Sequence, residues 1–185
     1  MARSQASDYL SGMRFGVSVN LSTTPYFSQT QAGFNSVTTP EVSQDAVEYR
    51  EGNWIYTRKY PGVPTYSDVT MTRGMTRTDT VFFDWMMRAQ TGEEYRADVT
   101  IYHLHRDEMT RGDLNAPHKL EISWDQAKQY ILHEAFPIRC KIAGDLDATT
   151  ADISIGELDV AYEYFTVKAP KVKLPLQPPI TIPTL

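Results

Sequence analysis

The sequence predicts a mainly β protein: a small antiparallel β-sandwich or partial barrel of about seven strands, with one flanking α-helix and a long protruding arm. Three observations carry this. Apolar and polar residues alternate over several short stretches, the period of a half-buried strand. Only the stretch around residues 81–92 convincingly repeats apolar residues at helical spacing. The stretch from Glu48 to Gly74 reads as two strands joined by a long connection, where most connections are short.

The elements follow in chain order. Residues 1–12 are polar and read as a flexible N-terminal segment. Met13, Phe15, Val17, Val19 and Leu21 then alternate with Arg14, Gly16, Ser18 and Asn20, a half-buried strand ended by Pro25. Phe34 to Thr38 is a second, short strand stopped at Pro40, and Val42 to Tyr49 a third. A turn at Glu51, Gly52 and Asn53 opens the arm, which carries Arg58, Lys59, Tyr60, Pro61 and Gly62. The chain returns in a fourth strand, Ser67 to Arg73, with Val69 and Met71 on one face and Thr70 and Thr72 on the other. A long connection of this kind is usually functional, and we read it as a contact with another copy of the chain.

Thr78 or Asp79 can cap the helix that follows. Val81, Phe82, Trp85, Met86 and Ala89 form its apolar face, with Phe82, Trp85 and Met86 as the packing core. Arg88 complements the dipole in the last turn and Gly92 supplies the stop. Such a helix, alone among strands, should plug an open side of a sheet. Glu94 to Arg106 is a long strand with Tyr95, Ala97, Val99, Ile101 and His103 on one face, and Asp107 to His118 a polar loop. Residues 121–135 fit a helix, with Ser123 and Gln126 as a capping box, or a strand with a bulge; periodicity does not choose. Ile138, Cys140 and Ile142 face inward on the next strand, which Gly144 and Asp145 turn. The last strand, Asp152 to Val167, sets Leu158, Val160, Tyr162 and Tyr164 against Glu157, Asp159, Ala161 and Glu163. Residues 13–168 thus form one β domain, followed by a proline-rich tail, 169–185, suited to an extended conformation.

Composition narrows the function. The chain has 185 residues, 41% of them apolar, and a net charge of -5, which argues against a surface built to grip phosphates. With one cysteine, Cys140, no intramolecular disulfide can form; alternation with Ile138 and Ile142 makes it a core residue. No apolar run approaches the ~18 residues of a membrane span. His103, His105 and Asp107 have strand spacing that could gather metal ligands, but exposed or structural histidines are commoner. Asp145, Asp147 and Asp152 lack the spacing and glycine of a calcium loop and read as a turn. No phosphate loop, nucleophile elbow or HExxH occurs, so no enzyme, cofactor or metal is expected. A sheet with open edges invites pairing with other copies, and a head-to-tail contact closes into a ring when the rotation allows.

Glu48-Tyr49-Arg50-Glu51-Gly52, then Arg58-Lys59-Tyr60-Pro61-Gly62, then Val69 to Gly74, resemble in order the YREG turn, K-x-PG arm and I-T-L-x-RG strand of contractile phage tail tube proteins and the inner tube proteins of contractile injection systems. Phe83-Asp84-Trp85 resembles that family's aromatic helix, and Ala135 to Arg139 its A-W-P-x-K element. Asp147-Ala148-Thr149 with Ile153 to Glu163 resembles its final turn and acidic strand. The stretch 113–126 looks like an insertion, and the proline-rich tail extends past the family's usual ending. The resemblance implies hexameric rings that share one inner barrel and stack into a tube. The arm (Glu51, Gly52, Asn53, Arg58, Lys59, Tyr60, Pro61, Gly62) would reach the next ring. Implied partners are the chain itself, a sheath, a tape-measure protein or DNA or protein cargo in the lumen, a baseplate hub and a tail terminator. The implied place is the virion tail, assembled in the host cytoplasm. Glu157, Asp159 and Glu163 are candidates for an acidic lumen wall. The alternatives are the inner tube of a protein-translocating contractile injection particle and a tail terminator or baseplate hub adaptor of the same fold that forms a single ring.

Overall fold

A computed structural model describes residues 10, 12–21, 34–77, 80–104, 109–111, 120–122, 127–144, 146, 149 and 153–170. Among the described residues the fold is mainly β with one helix and no closed barrel. The strands are β1 (Phe15–Leu21), β2 (Phe34–Val37), β3 (Val42–Tyr49), β4 (Arg58–Tyr66), β5 (Val69–Gly74), β6 (Ala97–His103), β7 (Met109–Arg111), β8 (Leu120–Ile122), β9 (Lys128–Lys141), β10 (Ile155–Ala161) and β11 (Tyr164–Lys168); the helix, α1 (Val81–Thr91), lies between β5 and β6. Seven strands join in one sheet, β1-β6-β9-β10-β5-β2 with β11 also on β9, and all its pairings are antiparallel.

That sheet is folded on itself, and β9 is where it folds. The N-terminal half of β9 pairs with β6 on one side and β11 on the other, while its C-terminal half pairs with β10. Glu134, between the halves, has φ 53°, a conformation non-glycine residues adopt only at bends and turns. Residues 128–135 of the ambiguous stretch are therefore a strand with a bulge, and 121–122 belong to β8. A helix would have left β11 without a partner and one edge of β6 open; Ser123 and Gln126 lie outside the described residues.

The expected last strand breaks at the same level. Tyr162 and Glu163 form a corner between β10 and β11, so Glu163 leaves the face shared by Glu157 and Asp159, and Tyr164 becomes half-exposed. The two halves of the folded sheet close over one core. Val17, Val19, Val99, Ile101 and Leu132 from one half meet Val69, Met71, Leu158 and Val160 from the other, with Phe82 and Trp85 of α1 between them. Burial of this apolar surface, at about 25 cal/mol per Å², is the main stabilising term.

Helix α1 runs from Thr80, whose hydroxyl donates to Asp84 Oδ2 at 2.8 Å rather than accepting a backbone N–H, to Gly92 in the left-handed conformation at φ 78°. Thr78 and Asp79 lie outside the described residues. Trp85 is fully buried and its Nε1–H donates to the Tyr95 carbonyl at 2.7 Å; Met86 on the same side is half-buried. Arg73, continuing the buried face of β5, is covered too and lays its guanidinium 3.8 Å from the Phe82 ring.

Several expectations need correction. The main sheet has seven strands, but among the described residues there are eleven in all: the arm adds β4, β7 within the expected 107–118 loop forms a second small hairpin with β8, and the expected last strand divides into β10 and β11. Met13 is exposed, the strand starting only at Phe15. Ile138 and Ile142 are 46% and 50% exposed, although Cys140 between them is half-buried against the core. The register slips at Ile138, since Pro137 pairs with Val160 and Arg139 with Asp159, so Ile138 is an extra residue that falls out of the inward alternation; Ile142 lies past the end of β9, half-covered beside Phe82 and Phe83.

Two substitutions test this account. Trp85→Ala should lower the unfolding free energy by about 3–5 kcal/mol in urea titrations, from the cavity and the orphaned Tyr95 carbonyl. Glu134→Ile should cost about 1–3 kcal/mol relative to Glu134→Gly, because a β-branched residue resists the left-handed region; equal stabilities would show that the bend does not rest on this residue.

Candidate assembly surfaces

The arm is a β-hairpin that stands apart from the body. Among the described residues β3 and β4 pair only with each other, from Val42 opposite Tyr66 to Tyr49 opposite Arg58. Nine residues of β4 span about 30 Å. Lys59, Tyr60, Pro61 and Gly62 are therefore strand residues, not a loop. Pro61 and Pro64 fit because β4 is an edge strand and their missing N–H groups break no further ladder. The register slips at Asp45, whose carbonyl would lie 2.7 Å from a Cβ at position 62, so only glycine fits there. Gln44 Nε2–H donates across the slip to the Gly62 carbonyl at 2.6 Å.

Little of this hairpin is buried. Every residue of β3 is exposed, and in β4 only Gly62 and Tyr66 are half-buried. The base is anchored by Tyr66, whose ring meets those of Tyr162 and Phe165 at about 6 Å. At the turn the Trp54 N–H donates to the Glu51 carbonyl at 3.1 Å, and Arg58 lies 3.6 Å from Glu51 and over the Trp54 ring. Lys59 faces Glu48 across the strands at 3.2 Å. These exposed pairs each contribute roughly 0–1 kcal/mol. Apolar side chains cover the hairpin all the same: Val47, Tyr49, Trp54, Tyr56 and Tyr60 are exposed, and Ile55 and Val63 are 85% and 82% exposed. A two-stranded ribbon is marginal alone, and such apolar exposure marks an interaction surface.

The candidate acidic residues are separated by the corner. Glu157 and Asp159 stand on the outward face of β10, and both are met by Arg139 of β9: its Nε–H donates to Asp159 Oδ2 at 2.8 Å and its terminal nitrogens reach Glu157. The hydrogen bond to Glu157 and the charge of Asp159 hold the Arg139 pKa above its usual value. Glu163 sits at the corner instead, paired with Arg96, which also lies 3.5 Å from Glu134. The expected acidic wall is thus compensated at each carboxylate. Arg139 and Arg96 were missed from the sequence. The signal was available for Arg139: Arg139 and Lys141 alternate at strand period beside an acidic strand of the same period, and opposite charges favour cross-strand neighbours.

No group of metal-ligating side chains gathers among the described residues. His103 packs by Tyr130; His105, Asp107, Asp145, Asp147 and Asp152 lie outside the described residues. Burial pushes the Cys140 thiol pKa up. No described helix is long and apolar enough to cross a membrane.

Known structures share this architecture. One described as the PVC sheath-tube complex of an extracellular contractile injection system in the extended state is 25% identical, with a TM-score of 0.65, covering 89% of this chain and 95% of that one. The PVC sheath/tube terminator in the extended state is also 25% identical, with a TM-score of 0.62, covering 89% and 100%. The anti-feeding prophage (AFP) baseplate chain has a TM-score of 0.67 at 17% identity, covering 90% and 99%, a likeness of fold. No curated protein matches the sequence. Residues 11–166 match the family described as T4-like virus tail tube protein gp19. The motif resemblance is therefore borne out, and the chain belongs to the T4-like virus tail tube protein gp19 family.

Proposed function

We propose that this chain is the inner tube subunit of a contractile phage tail, forming stacked hexameric rings whose lumen conducts DNA or other cargo into the target cell. The observation that carries the reading is the β3–β4 hairpin. It projects apolar side chains into solvent, has too little buried surface to be stable on its own, and so calls for a second copy to cover it. Within a ring, the edges of the large sheet at β2 and at the C-terminal half of β9, which no described strand covers, would pair with neighbouring copies. Between rings, the hairpin would reach the next layer through Glu51, Gly52, Asn53 and the Arg58–Gly62 segment. The protein has a mechanical role in this reading and no catalytic one. Its partners are further copies, a sheath, a tape-measure protein, a baseplate hub and a terminator, in a virion tail assembled in the host cytoplasm.

Two other assignments share the fold. The chain could serve as the inner tube of a protein-translocating injection particle, in keeping with its likeness to the PVC sheath-tube complex. It could instead form a single ring as a terminator or hub adaptor, and the likeness to the PVC sheath/tube terminator favours keeping that reading.

Negative-stain microscopy separates them: purified chain is expected to form rings that extend into tubes, and single rings at every concentration would select the adaptor. Replacing Lys59-Tyr60-Pro61-Gly62 with a flexible linker should abolish tubes while leaving the thermal midpoint of the body unchanged, since none of these side chains is in the core. Tubes of undiminished length in that variant would remove the hairpin from assembly. Trp54→Ser with Ile55→Ser should shorten tubes and raise the solubility of unassembled protein, measured by sedimentation.

A further inference from the structure

The half-sheet formed by β2, β5, β10 and the C-terminal half of β9 buries one face and turns the other outward. The outward face is ordered in rows. One row runs Ser36, Thr72, Glu157, Lys141; the next runs Thr38, Thr70, Asp159, Arg139. Each row carries two hydroxyls, one carboxylate and one cation, and sums to zero charge.

The groups are also engaged with one another. The Ser36 and Thr72 hydroxyls share a hydrogen bond of 2.7 Å. Thr70 Oγ1–H donates to Asp159 Oδ1 at 2.8 Å, and the Thr70 N–H donates to Thr38 Oγ1 at 2.8 Å. Arg139 ties the two rows together through Asp159 and Glu157. Apolar side chains stand at the two ends of the face: Ile155 beside Gly74 at one, and the Ala161–Phe136 pair, half-buried, at the other. The outward face of the other half-sheet differs. At its middle Ser18, Thr100 and Ile131, aligned across β1, β6 and β9, are already buried. The row beside it, Asn20, Asp98 and Tyr164, is exposed, whereas on the β2-β5-β10-β9 face neither of the two rows is buried.

We propose, resting on the tube reading above, that this face is the wall of the conduit and that it is a charge-neutral hydroxyl surface. A basic wall holds phosphates through counterion release, an acidic wall holds cationic segments, and an apolar wall holds greasy ones. Opposite charges about 3 Å apart cancel well within a Debye length of ~8 Å at physiological salt. Hydroxyls bonded to neighbours offer few free bonds to a passing chain. The wall therefore grips a polymer of neither sign. This replaces the acidic wall expected from Glu157, Asp159 and Glu163, because Arg139 and Lys141, one in each row, balance the charge of the first two and the corner removes the third.

The test uses tubes of the full chain carrying Cys140→Ser with Thr72→Cys or, as a second position, Ser36→Cys. Assembly is checked first by microscopy; a chain that forms no tubes overturns the tube reading and this proposal together. In intact tubes the new thiol should react with a small maleimide but not with a maleimide-linked antibody, and with both after dissociation. Labelling by the antibody in intact tubes, or protection from both reagents, would place the face outside or within an interface and overturn this proposal alone. The rates with cationic and anionic methanethiosulfonates then read the local potential. Their ratio should change less than about twofold between low and high salt, and Arg139→Gln should raise it at least about threefold at low salt in favour of the cation. A ratio that already favours the cation strongly in the Arg139 tubes and collapses in salt would show an acidic wall and end the proposal.

Discussion

One strand carries the architecture. β9 belongs to both halves of the sheet, and the bend at Glu134 directs one half toward β6 and β11 and the other toward β10. β10 and β11 are consecutive in the chain, so the corner at Tyr162–Glu163 is the same bend seen on the neighbouring strand. Arg96 spans both, paired with Glu134 on one and Glu163 on the other. These are exposed ion pairs and worth little each. Packing holds the fold instead: Leu132 and Ala135, flanking the bend, are fully buried, and α1 lays Trp85 and Phe82 into the space between the halves.

Folding the sheet divides its surfaces by use. Inward faces are consumed by a single core that the chain completes alone. Outward, one half-sheet is covered at its centre and the other presents rows of hydroxyls and paired charges. The edges at β2 and at the far half of β9, together with the hairpin, are left with backbone and apolar groups that no other described element covers. A body self-sufficient in its core but incomplete at its borders suits a subunit meant to be repeated. The hairpin is cheap to carry, because it is anchored through Tyr66 at its base and withdraws nothing from the core.

The alternation in Val42–Tyr49 and Val69–Gly74, the apolar stripe of α1 and the ordered motifs around Glu48–Gly74 were enough to give the fold class, the helix and the family resemblance. Those signals are local: they depend on side-chain period and turn chemistry within a few residues. What the tertiary structure alone decided is non-local. Tyr60 and Gly62 look like loop residues until β3 is seen opposite them, and residues 128–135 become a strand because β6 and β11 lie on both sides. Ile142 has the alternation of a core residue, yet it lies past the end of β9 and stays 50% exposed beside Phe82 and Phe83. Glu157 and Asp159 read as an acidic strip in one dimension and are balanced by Arg139 and Lys141 only once β9 is laid beside β10. Period tells which side a residue points to; whether anything waits on that side is a property of the pairing, and pairing is not written in any single stretch of sequence.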